Sequence, residues 1–187
     1  MENAVYSGPF VTKAKEEFSN SQNANIQKWS AYIKGDVLRQ EYLRVALEWV
    51  CKSEADEDVE AYMSQHRHDT DIQELKTYFT SVIDWISGVF SDVESEMRGI
   101  EWGRLFETYH NQPYDPVEVS DKLHELYADG AVKKRAGIFE YILGGCKEPR
   151  LLEIRIFEES TKKAVYAQQT DEAKKCGKSN CPLCALE

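Results

Sequence analysis

The sequence has no apolar run that approaches the ~20 residues of a membrane-spanning helix. Its opening residues, MENAVYSGPF, also lack the charged and apolar regions of a signal peptide. The five cysteines form no even framework, which favours a reducing compartment over an oxidising one. These absences predict a cytoplasmic protein that has no membrane partner.

Positive charge is also scarce, because 23 lysines and arginines stand against 33 aspartates and glutamates. The resulting net charge of −10 argues against a broad surface for nucleic acid or anionic lipid, although it allows a local basic patch. A glycine-rich phosphate loop, a dinucleotide-binding fingerprint and a nucleophile elbow are all missing. The sequence therefore holds no complete catalytic constellation, and we assign no catalytic residue.

Helical periodicity is the main pattern that is present. Apolar residues recur every three to four positions along most of the chain, which is typical of amphipathic helices. Asp115 followed by Pro116 is the clearest start signal, and Asp36 and Thr70 are predicted to begin two further helices. Hydrophobic residues make up 42% of the chain, which is enough for a core. We predict an all-α fold, an irregular multi-helix bundle of about seven helices.

A single segment has the pattern of a strand. Residues 151–157 alternate in side-chain character, which is typical of a half-buried strand rather than of a helix. The bundle is therefore expected to contain at most one short strand or extended segment, near these residues.

The histidines and the densest acidic group offer little chemistry. His66 and His68 form a His-x-His pair, which suits a metal on a strand, but at a junction of two predicted helices their rings diverge. His110 and His124 have no serine or cysteine nucleophile at a recognisable spacing. The acidic residues within 54–58 are expected to be a solvated helix start, which the helix dipole favours.

Basic residues cluster locally at Lys133, Lys134 and Arg135, in a predicted turn. Lysine and arginine side chains in a turn either contact phosphates or serve as ordinary surface charge. This cluster is the best candidate for a DNA-phosphate contact.

The cysteines near residue 187 carry the most specific pattern. Cys181 and Cys184 have the CxxC spacing of one arm of a tetrahedral zinc site, which needs four nitrogen or sulfur ligands. Two thiolates give only half of that shell, so we expect no stable metal binding by this pair alone. Cys51 and Cys146 stand alone and are expected to be packing or surface thiols.

Several segments together resemble a known nuclease family. Residues 151–157, the pattern K-x-x-x-Y-x-x-Q over residues 162–169 and the CxxC at 181–184 are similar to the entry into an HNH nuclease domain. Residues 3–10 are similar to the segment that leaves the N-terminal domain of GmrSD-type, ParB-like nucleases. Residues 137–143 resemble the central helical region of that family.

The resemblance implies a bacterial restriction or phage-defence protein that cleaves DNA. In that family the N-terminal domain is an NTP-dependent nuclease, and a histidine of the HNH domain activates water beside a metal on the scissile phosphate. This sequence has neither set of motifs. Zinc at Cys181 and Cys184, a catalytic divalent metal and a DNA partner are therefore expected of the parent protein, and a homodimer is compatible with it.

On this resemblance, the chain is a fragment with two parts. Residues 1–157 would be a non-catalytic helical middle domain that positions the nuclease modules and contacts DNA. Residues 158–187 would be a helix followed by the truncated, partly disordered entry of the HNH zinc domain.

Two other functions fit the same sequence. The first is a protein-interaction or sensor module without DNA contact, which the acidic charge favours slightly over DNA binding. The second is a stand-alone enzyme, which would require a deep pocket that contains His110 or His124 with a carboxylate partner.

Overall fold

The computed structural model describes residues 7–154 and 159–177, and all regular structure in these ranges is helical. The α-helices are α1 Pro9–Phe18, α2 Ile26–Trp29, α3 Glu41–Cys51, α4 Asp56–Gln65, α5 Gln73–Val89, α6 Trp102–Tyr109, α7 Pro116–Ala128, α8 Ala136–Leu143 and α9 Glu159–Lys175. The prediction of an all-α, multi-helix fold is confirmed. None of the helices in the described part of the chain is both long and apolar enough to cross a bilayer.

The chain divides into two compact units, the first ending at Glu153 and the second beginning at Ile154. Helix α5 is the central element of the first unit and packs against α3, α6 and α7. Its apolar residues recur at helical spacing, so they form one buried stripe along the helix. The buried residues of α5 are Leu75, Phe79, Val82, Ile83, Ile86 and Val89.

Aromatic rings form the centre of this core. The ring of Phe79, which is fully buried, lies 5.1 Å from Phe18, 5.0 Å from Trp29 and 5.2 Å from Trp49 between ring centroids. The Phe18 and Trp29 rings meet edge-on with Phe79, whereas the Trp49 indole stacks on it at 22°. Both arrangements are favourable geometries for aromatic pairs. Helices α1, α2, α3 and α5 are therefore joined through one ring.

The predicted helix starts have different outcomes. The Asp115 carboxylate accepts a hydrogen bond from the Val117 amide at 2.8 Å and Pro116 opens α7, as predicted. The helical segment that begins after Asp36 is much shorter than predicted. The Asp36 carboxylate caps only a short 3-10 turn, Val37–Arg39, because Gln40 adopts a left-handed φ of 61° and α3 begins one residue later.

The predicted start of α5 is shifted as well. The helix begins at Gln73, whose amide donates to the Asp71 carboxylate at 3.1 Å, so Asp71 rather than Thr70 binds the first turn. The carbonyl of Thr70 instead accepts a hydrogen bond from the Lys13 ammonium. A capping box would have used the Thr70 hydroxyl and amide.

Residues 151–157, the segment with the strand pattern, contain no strand in their described part, which agrees with the prediction of at most one short strand. Pro149–Leu152 form a 3-10 turn, and Leu152 is buried against the core. The Leu152 carbonyl accepts hydrogen bonds from the amides of both Lys133 and Lys134, each at 3.1 Å. These bonds hold the segment as a turn against the start of α8, and residues 155–157 lie outside the described residues.

The described helix of the second unit is α9. At 17 residues it is about 25 Å long, given a rise of 1.5 Å per residue. Its only large exposed hydrophobic side chains are Val165 and Tyr166, and they do not form a stripe along the helix. A helix without an apolar stripe is typical of a segment that bridges solvent between domains or that is stabilised by polar pairs along its own surface.

The packing of α8 on the 3-10 turn can be tested at Gly137. A Cβ atom there would lie 1.8 Å from the Leu151 carbonyl oxygen, so we expect Gly137→Ala to lower the free energy of unfolding by about 1–3 kcal/mol. Gly88 in α5 has no atom within 4 Å of an added Cβ and is a matched control. Gly88→Ala should raise stability by about 0.5–1 kcal/mol through helix propensity.

Denaturant unfolding of both variants, monitored by circular dichroism, measures this difference. Equal stability of Gly137→Ala and the parent chain would contradict the close approach of Leu151 to α8.

Candidate functional site

A cleft of about 900 Å³ opens along helices α3 and α6 of the first unit. Loop residues 33–35 and 99–101 close one end of it, and the amide of Gly99 binds the Tyr32 carbonyl at 2.9 Å to join the two loops. The residues that follow α3 form the other end. The volume lies within the range of about 300–1,000 Å³ that is typical of ligand sites.

The floor of the cleft is apolar. Ile33 and Trp49 are buried there, and Ile100 is half-buried beside them. Helix α6 approaches this floor through Gly103, where an added Cβ would lie only 2.6 Å from Cδ1 of Trp49. The absence of a side chain at Gly103 therefore sets the distance between α3 and α6.

The rim of the cleft is charged, and its first ion-pair network is centred on Glu107. The Lys52 ammonium lies 2.6 Å from one carboxylate oxygen of Glu107, and the Tyr78 hydroxyl donates to the other at 2.6 Å. Burial raises the pKa of Glu107, but the hydrogen bonds from Lys52 and Tyr78 outweigh burial and leave that pKa below its ordinary value. Glu107 is thus an ionised group with both oxygens occupied.

A second network is centred on Arg104. Its guanidinium donates to both carboxylate oxygens of Glu140 at 2.9 and 2.8 Å, and to Glu101 at 2.9 Å. The hydrogen bonds from Arg104 lower the pKa of Glu140, against the opposing effect of burial. This bidentate pair joins α6 to α8, which fixes one wall of the cleft.

Glu48 has a different environment, at the end of the cleft near the α3 C-terminus. Burial raises the pKa of its carboxyl group, and the negative charges of Glu54 and Asp56 raise it further, against an ion pair with Arg44. Two carboxyl groups of one cleft, Glu48 and Glu107, therefore have pKa values shifted in opposite directions.

The basic cluster predicted to contact phosphate lies elsewhere. The Lys134 ammonium is 3.8 Å from Glu153, and the Arg135 guanidinium is 3.8 Å from Glu96 and lies over the Tyr127 ring. The Lys133 side chain is exposed, while its amide is bound to Leu152. Two of the three cations thus already face carboxylates. Cys181 and Cys184 lie outside the described residues.

None of the histidines lines the cleft. Nδ1 of His66 lies 2.7 Å from the Asp69 carboxylate, and its ring packs 4.2 Å from Tyr62. Nδ1 of His110 lies 2.6 Å from the Phe106 carbonyl. Within the described ranges, no three histidine, cysteine, aspartate or glutamate side chains are grouped to hold a metal ion.

The sequence patterns did not single out the cleft residues. Arg44 and Glu48 lie four apart on one face of α3, Lys52 follows the helix as its C-cap, and Arg104 and Glu107 lie three apart on α6. That spacing is the only signal in the sequence, and it equally fits a solvated helix face. The pairing of the two faces depends on tertiary contacts.

Comparison with known proteins gives no relative, since no family model, no curated protein and no solved structure matches this chain. The similarity to GmrSD-type and HNH nucleases therefore stays a prediction.

The Arg104 network makes a prediction about stability and pH. We expect Arg104→Ala to lower the free energy of unfolding at neutral pH by about 1 kcal/mol, because it leaves the half-buried Glu140 carboxylate without its partner. Since the pKa of Glu140 is lowered in the folded chain, this stabilisation exists above the ordinary value of 4.5 and is lost as the pH falls through the lowered pKa.

Urea unfolding of parent and variant between neutral pH and acid measures the effect, and the difference between them should shrink below about pH 4.5. Arg39→Ala is the control, because its exposed pair with Asp36 is 4.0 Å long and contributes at most about 0.5 kcal/mol. A pH-independent loss in Arg104→Ala would contradict the ion pair with Glu140.

Proposed function

We propose that the first unit is a non-catalytic binding module whose cleft along α3 and α6 takes up a segment of another protein. The observation that carries this proposal is the composition of the cleft, an apolar floor surrounded by charged groups that are held in ion pairs. Such a combination of apolar surface and a few placed polar groups is typical of recognition sites.

The rim chemistry favours binding over catalysis. A general base needs a free lone pair near a reacting proton, and a nucleophile needs an adjacent base. The Glu107 carboxylate is bound by Lys52 and Tyr78, and Arg104 is bound by two carboxylates. Glu48, whose pKa is raised, faces Arg44 rather than a serine or cysteine. The serine and threonine hydroxyls that line the cleft are bound elsewhere: Ser53 accepts a hydrogen bond from the Ala55 amide at 3.2 Å, and Thr108 donates to the Arg104 carbonyl at 2.9 Å.

The charge distribution favours a protein partner over DNA. Lys134 and Arg135 face Glu153 and Glu96, so a phosphate would have to displace a carboxylate at two of the three cations in the cluster. The net charge of −10 opposes DNA at longer range.

The nuclease hypothesis gives this module a context. If the parent protein is an HNH restriction or phage-defence endonuclease, the module positions its nuclease parts or recruits a partner, and DNA is bound elsewhere in the parent. The polar helix α9, which precedes the CxxC of Cys181 and Cys184, supports a spacing role for the second unit. Zinc at the two cysteines and a catalytic divalent metal belong to this hypothesis.

DNA binding by the basic cluster can be tested directly. Using fluorescence anisotropy with labelled duplex DNA, modified and unmodified, we expect no saturable binding by the full chain at ~50 mM salt, where phosphate contacts are strong. Binding at low salt that weakens steeply by ~200 mM salt, and is lost in Lys133→Ala/Lys134→Ala, would favour the DNA-contact function instead.

The cleft can be tested with peptides selected on the full chain from a displayed random library. Thr108 is exposed on α6 and lines the cleft, so we expect Thr108→Trp to fill part of it and weaken the binding of the selected peptides by about tenfold or more. Thr80→Trp is the matched control, because Thr80 is exposed on α5 outside the cleft. Peptides that bind both variants as tightly as the parent chain would contradict the proposal.

A further inference from the structure

The end of the cleft near the α3 C-terminus carries uncompensated negative charge. Glu48 and Glu54 line this end, and Asp56, Glu57 and Asp58 follow in the first turn of α4. Within the described residues, no ion pair with a cation involves Glu54, Asp56, Glu57 or Asp58.

The cations at this end do not balance the charge. Arg44 is paired with Glu48, and Lys52 is paired with Glu107. Neither cation therefore neutralises Glu54, Asp56, Glu57 or Asp58. Lys34, which forms no ion pair among the described residues, lines the opposite end, in the loop before α3. Helix α3 separates the two ends by about 16 Å, at 1.5 Å per residue over its 11 residues.

Local helix stability explains only part of the acidic group. Asp56, Glu57 and Asp58 open α4, where the positive end of the helix dipole favours carboxylates. Glu48 lies in the last turn of α3, where the dipole disfavours a carboxylate, and Glu54 lies outside both helices. The raised pKa of Glu48, caused first by burial and then by Glu54 and Asp56, reflects the same unfavourable environment.

The apolar floor adjoins this acidic end. Trp49 follows Glu48 directly in α3, and Ile33 and Ile100 continue the floor toward the Lys34 end. A length of about 16 Å accommodates about five residues of an extended peptide, at 3.3 Å per residue. One bulky apolar side chain on the floor would bring a neighbouring cationic side chain within reach of Glu54, whereas Glu48 is already paired with Arg44.

We infer that the cleft selects partner segments in which a lysine or arginine flanks a bulky apolar side chain, the cation pairing with Glu54 and the apolar side chain lying on the floor formed by Ile33, Trp49 and Ile100. This inference rests on the proposed function, because it specifies the chemistry of the segment that the cleft binds. Complementary charge is expected to set specificity and association rate, while the apolar contact retains the segment.

The test uses the same displayed random peptide library, selected on the full chain. The selected peptides should share a lysine or arginine next to a leucine, isoleucine, phenylalanine or tryptophan. In Glu54→Lys, the cation should meet a like charge, so we expect binding to weaken by about tenfold. Glu54→Gln should lose less, and circular dichroism of both variants verifies the fold. Asp121→Lys, which makes the same charge change on exposed α7 outside the cleft, should bind as the parent chain does.

The possible outcomes separate this inference from the function on which it rests. Peptides that are blocked by Thr108→Trp but lack a basic residue, or bind Glu54→Lys unchanged, would overturn the inference and leave the binding module standing. Equal weakening by Glu54→Lys and Asp121→Lys would also overturn it, because long-range charge would then explain the binding. Selected peptides that are insensitive to Thr108→Trp would overturn both.

Discussion

The indole of Trp49 contacts the core and the cleft at once, and the rest of the first unit depends on this contact. Its ring stacks on Phe79 at 5.2 Å, and Phe79 in turn meets Phe18 and Trp29. The same indole forms the cleft floor and packs against the backbone of Gly103. Helices α3, α5 and α6 therefore cannot move relative to one another without disturbing this aromatic cluster.

This arrangement gives a binding surface whose shape is set before a partner arrives. The floor is held by aromatic packing, and the walls are held by the Arg104–Glu140 pair and by the Lys52–Glu107 pair. A preformed site loses little conformational freedom on binding, which favours affinity. The rim side chains remain partly exposed, so their charges stay available to steer a partner while salt weakens their effect.

The sequence allowed the helical class and the Asp115 start to be predicted, because both follow from local patterns: a stripe such as that of α5, and a cap followed by proline. The shifted helix starts have one local cause, the left-handed Gln40 after Asp36, and one long-range cause, the Lys13 bond to the Thr70 carbonyl. Residues 151 and 152 belong to a 3-10 turn rather than to a strand, since the Leu152 carbonyl binds the amides of Lys133 and Lys134. The cleft was not predictable, because its faces on α3 and α6 meet through tertiary contacts such as that of Trp49 with Gly103, and the charge spacing on either helix equally fits a solvated face.

Hydrogen–deuterium exchange of the full chain, with and without a peptide selected from the library, tests the cleft as the binding site most directly. Binding on the apolar floor should slow exchange in residues 44–54 and 99–108, which form the two sides of the cleft, and leave α7 and α9 unchanged. Protection confined to α7, to α9 or to the basic turn at residues 133–135 would contradict it.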